Sequence, residues 1–128
     1  MANERLRTVD AGEARELLET ARVGHLAYDG AEGVDATPVN FRVDGDRVVV
    51  RTADDSALAR AERPQRVVML VTYLERLAQK AWSVKVRGTL SEPPPEALPE
   101  VEPAPWTGAP GTVLLEISLD EITGRRVG

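Results

Sequence analysis

The stretch Asp44-Gly45-Asp46, followed at once by Arg47-Val48-Val49-Val50-Arg51-Thr52, restricts the fold of this chain more than any other. Glycine between two aspartates is a tight-turn signal, and a run of β-branched residues prefers a pleated, half-buried surface to a helix. With the extended segment from Val34 to Val43 before it, the turn predicts a β-hairpin. Pro38 lies inside that earlier segment and has no amide hydrogen to give a ladder, so it belongs at an edge or a bulge.

The rest of the chain reads in the same terms. Between Asp10 and Ala21 the apolar positions Ala14, Leu17, Leu18 and Ala21 recur at helical spacing, and Asp10 with Glu13 resembles a capping box. His25-Leu26-Ala27-Tyr28 is a strand that ends at the turn from Asp29 to Gly33. Asp54 and Asp55 are placed to cap a short helix running from Ser56 to Ala61. Arg66 to Tyr73 and Trp82 to Leu90 are two more long strands, and Val113 to Ile117 is a last core strand. Asp120 to Val127 reads as a turn and tail. Seven of the nine prolines fall between Glu92 and Pro110, which predicts an irregular loop there. Many short strands and few helices favour a closed or nearly closed antiparallel barrel of six to seven strands over a parallel α/β sheet.

Composition narrows the function classes. At 128 residues the chain suits one domain, and 42% hydrophobic with 29% charged residues is a globular balance. A net charge of −5 with scattered basic residues argues against nucleic acid as a partner. The chain has no cysteine and one histidine, which leaves little to build a metal centre from. The amino terminus is polar and no long apolar run follows, so a cytoplasmic protein without a membrane partner is expected.

Four segments, in order, carry a resemblance. They are Thr37-Pro38-Val39-Asn40-Phe41, Val49-Val50-Arg51-Thr52, Trp82-Ser83-Val84-Lys85-Val86-Arg87-Gly88 and Glu121-Ile122-Thr123-Gly124-Arg125-Arg126-Val127. Together they resemble small actinobacterial-type members of the pyridoxamine 5′-phosphate oxidase-like family, which adopt an FMN-binding split barrel. That resemblance implies a homodimer with two flavin sites between the subunits, each built from both chains. It implies that Arg51, Thr52 and Ser56 lie at the flavin phosphate, where guanidinium and hydroxyl donors suit the charge. It also implies that Pro38, Val39 and Asn40 line the ring, that Trp82, Ser83 and Arg87 lie near the flavin or the dimer seam, and that Trp106 covers the site from the partner chain. Many relatives carry a lysine in the short helix where this chain has Ser56, and often a glycine where it has Ala81.

The function implied is a flavin-dependent oxidoreductase of unknown substrate, with no catalytic residue singled out because the flavin carries the chemistry. Two alternatives stand beside it: a deazaflavin-dependent reductase on the same fold, and a non-catalytic dimeric scaffold. On residue type alone, Arg51 is a solvent-facing strand end and Trp82 and Trp106 are core or interface aromatics. His25 is a partly buried, hydrogen-bonded side chain, and Arg125-Arg126 a solvated or dimer-contacting tail.

Overall fold

A computed structural model describes residues 6–95, 103 and 111–128. In chain order the elements are β1 (Leu6–Val9), α1 (Ala11–Thr20), β2 (Val23–Gly30), β3 (Gly33–Asp44), β4 (Arg47–Ala53), α2 (Ala57–Arg60), β5 (Gln65–Glu75), β6 (Lys80–Ser91), β7 (Thr112–Ser118) and β8 (Glu121–Val127). The eight strands form one antiparallel sheet in the order β1-β8-β6-β5-β2-β3-β4-β7. A further pairing of β6 with β7 closes six of the strands into a ring.

The expected barrel is present, with more strands than the six to seven read from the sequence. The difference lies at the two termini. Glu121 to Val127 is a paired strand rather than a tail, and Leu6 to Val9 adds to its far edge. The hairpin forms as expected, with Gly45 at φ +62° in the turn. Pro38 sits opposite His25 of β2, and the pairing of β3 with β4 begins only at Asn40. The Phe41 amide donates to Arg22 O at 2.9 Å, so by alternation the amide position of Pro38 faces away from β2, where no ladder bond is lost.

Alternation fills the interior. Leu26, Tyr28, Val39, Phe41, Val48, Val50, Met69, Val71, Val84, Val86, Leu115 and Ile117 all point inward and are buried. Each such aliphatic or aromatic side chain contributes roughly 1.5–3 kcal/mol by leaving water. Helix α1 lays Ala14 and Leu18 on this core, and α2 adds Leu58.

Strand β6 organises the barrel's opening. On one edge it pairs with β5 from Lys80 to Leu90. On the other it pairs with β8 from Ala81 to Arg87 and then with β7 at Leu90 and Ser91. The change of partner falls at Gly88, whose place for a Cβ lies 1.8 Å from Ser118 O. Only a residue without a side chain lets β7 turn away into β8 there.

Candidate functional site

The end of β4 gathers one group of the residues singled out by sequence. The Arg51 side chain points outward, its Nε donating to Pro103 O at 2.8 Å and its Nη1 to Thr112 Oγ1 at 2.6 Å. Thr52 points inward and is buried, with its hydroxyl 2.8 Å from that of Ser56. Ser56, rather than Asp54 or Asp55, caps α2, accepting from the Ala59 amide at 3.1 Å. The correction follows from geometry: Asp54 lies in the turn, where its amide donates to Gly111 O at 3.2 Å. Arg51 and Thr52 thus reach this corner from opposite faces of one strand, Thr52 through its bond to Ser56.

Asn40 is the register partner of Arg51, and Pro38 lies two residues back on the same outer face. Val39 alternates to the other face and is a core residue, leaving only its backbone on this side of the sheet.

The second group divides the same way. Trp82 has the inward parity of Val84 and Val86, packs against the core and stacks on Tyr73, with ring centroids 6.0 Å apart at 19°. Ser83 and Arg87 point outward. Trp106 lies outside the described residues.

Across the outer face, strand register connects Pro38, His25, Leu70, Lys85 and Thr123 in one row, every one of them exposed. His25 is therefore exposed rather than partly buried. The Arg51 corner and the Ser83–Arg87 segment lie on strands that do not pair, with β3, β2 and β5 between them one way round the ring and β7 the other.

Two cations of this face escaped the sequence reading. Arg125, read as part of a tail, is paired with Ser83, and Lys85 sits between Ser83 and Arg87. The signal that could have found Arg125 is period-two alternation in β8, where Ile122 and Gly124 turn inward and Thr123 and Arg125 outward. Arg126 turns the other way and donates to Glu13 Oε2 at 2.6 Å.

The shifted titrations lie away from the Arg51 corner. Burial, and then the Asp35 carboxylate 3.3 Å from its hydroxyl, push the Tyr28 phenol above its usual value. The hydrogen bond to Glu75 does the same for exposed Tyr73, and Arg66 holds Asp120 below the usual carboxylate range. Among the described residues no cluster of histidine or acidic side chains could hold a metal ion. No helix among them is long and apolar enough to cross a membrane.

A solved structure from Corynebacterium glutamicum, provisionally named a pyridoxamine 5′-phosphate oxidase, is 27% identical, with a TM-score of 0.73 over 96% of this chain and 94% of that one. An FAD-binding protein from Mycobacterium smegmatis is 24% identical, with a TM-score of 0.75 over 96% and 99%. An FAD-binding protein from Mesorhizobium loti is 19% identical, with a TM-score of 0.72 over 96% and 99%. At these last two identities the likeness is one of fold. None of the curated proteins compared with the chain matches it. The family model described as pyridoxamine 5′-phosphate oxidase matches residues 10–126, nearly the whole chain, and the chain belongs to that family.

Proposed function

We propose that the chain is a homodimeric, FMN-binding oxidoreductase whose flavin phosphate sits at the Arg51 corner. The observation that carries the reading is the family match across residues 10–126. The chemistry of the corner fits a phosphate: a guanidinium beside the Thr112 hydroxyl, with the Thr52–Ser56 hydroxyl pair one residue further on. Pro38 and Asn40 offer the ring an outer sheet face on which β3, up to Val39, is free of β4.

A bound flavin would supply the electron or hydride transfer. The protein's own work is then to hold the phosphate with Arg51, to fix the strand end through the bond between Thr52 and Ser56, and to shape the ring's surroundings with β3. No acid or base is required of a side chain.

Titration of the purified chain with FMN, followed by quenching of flavin fluorescence, tests the reading. FAD, which two of the structural neighbours bind, and a deazaflavin serve as competitors. FMN is expected to saturate at the lowest concentration. Arg51→Ala is expected to weaken it about 10- to 100-fold, the loss of one charged hydrogen bond. A chain that quenches none of the three cofactors would overturn the flavin assignment and favour the scaffold. Unchanged affinity in a folded Arg51→Ala variant would move the phosphate elsewhere.

A further inference from the structure

Helix α2 is four residues long, too short to hold its own shape in water, so its place is set by what surrounds it. Leu58 is buried in the core. The Ser56 hydroxyl is shared, accepting from the Ala59 amide at 3.1 Å and lying 2.8 Å from the Thr52 hydroxyl. The other end has no glycine to close it and leaves the helix through Ala61, in extended backbone.

One side chain meets the carbonyls left there. Arg63 Nη1 donates to Ala59 O at 3.0 Å and to Ala61 O at 3.1 Å, and reaches Leu58 O at 3.5 Å. Its Nη2 donates to Glu92 Oε1 at 2.8 Å, so its charge is met. Among the described residues its Nε is buried without a hydrogen-bond partner. The guanidinium thus reaches α2 and Glu92 although this leaves one buried donor unpaired, which is a cost. The linker that follows is fixed separately: the Gln65 side chain donates to Asp29 O and Glu62 O and accepts from the Asp29 amide. The Arg63 bonds therefore bear on the helix itself.

We infer that Arg63 is a positioning residue for the Arg51 corner, holding α2 where Ser56 meets Thr52 and so setting the corner's affinity for phosphate. The path is short. Arg63 holds the Ala59 carbonyl, the Ala59 amide holds the Ser56 hydroxyl, and that hydroxyl holds Thr52, next to Arg51 in the chain. The inference rests on the flavin reading only in placing a phosphate at Arg51.

Two titrations in about 0.15 M potassium chloride, where distant charges are screened, test it. FMN is followed by quenching of its fluorescence. Inorganic phosphate is followed on the isotope-labelled, flavin-free chain by the amide shifts of Thr52 and Ser56. Arg63→Gln is expected to stay folded and to weaken both ligands by a similar factor, about three- to tenfold. Arg63→Lys, which keeps a cationic donor, is expected to recover part of the loss. Glu92→Gln, which removes an exposed ion pair and leaves the carbonyl bonds, is expected to change affinity by less than about twofold. If Arg63→Gln unfolds the chain, Arg63→Lys carries the test, with a smaller loss in both titrations.

Unchanged phosphate affinity in the folded variant would overturn the inference. So would a loss for FMN without one for phosphate, which would make α2 a support of the ring or of the fold at large. An equal loss in Glu92→Gln would assign the effect to the ion pair and overturn it too. A wild-type chain that binds FMN while phosphate leaves Thr52 and Ser56 unshifted would place the phosphate elsewhere, with the same result. Binding of neither ligand would remove both readings. Phosphate affinity that falls in Arg63→Gln while FMN does not bind at all would remove the flavin reading and leave this inference standing.

Discussion

Gly88 shows how one residue decides a local structure by what it lacks. A methyl group there would lie 1.8 Å from Ser118 O and 2.8 Å from its carbonyl carbon, backbone atoms that no rotamer change can clear. The same contact region ties the Thr89 amide to the Ser118 hydroxyl at 2.9 Å. Gly88→Ala is therefore expected to cost at least about 2 kcal/mol in urea unfolding, as overpacking that the backbone must absorb. A cost below a few tenths would show that β7 can move away freely. The sequence identified the segment ending in Gly88 but could not show this reason, because Ser118 lies thirty residues on. What it could show is alternation: Trp82 and Ser83, named together, must face opposite sides of β6, and they do.

Elements were legible where their signals are local. The Asp10 carboxylate accepts from the Glu13 amide at 2.8 Å, the N-cap half of the expected capping box. The reciprocal half is replaced by tertiary contacts, for Glu13 turns to Arg126 at 2.6 Å and Arg7 at 3.7 Å, joining α1 to the terminal strands. Asp10→Ala should destabilise the fold by about 1 kcal/mol, with Asp10→Asn close to neutral. Equal losses from both would point to charge rather than capping. Strand β1 was not legible in this way. A four-residue strand has no stable pattern of its own, and Leu6 to Val9 is ordered by the edge that β8 offers. The edge of β8 in turn exists only because β6 leaves β7 at Gly88.

At the scale of the whole molecule, the barrel leaves apolar side chains on its outer face. Val23, Val34, Leu70 and Leu74, on β2, β3 and β5, are 43%, 86%, 38% and 69% exposed. A stable dimer buries roughly 800 Å² from each partner, about a tenth of this chain's 7922 Å² of surface. The two-chain site proposed for the flavin needs such a seam. Sedimentation velocity is thus expected to give twice the 13.9 kDa chain mass at micromolar concentration. Val23→Asp sets an unpaired carboxylate on that face, across from Asn40, and should yield a folded 13.9 kDa species. A site built from both chains then also requires FMN affinity to fall in this variant although Arg51 is intact. A monomeric variant that binds FMN as the parent does would confine the flavin site to one chain, and a parent already at 13.9 kDa would remove the seam.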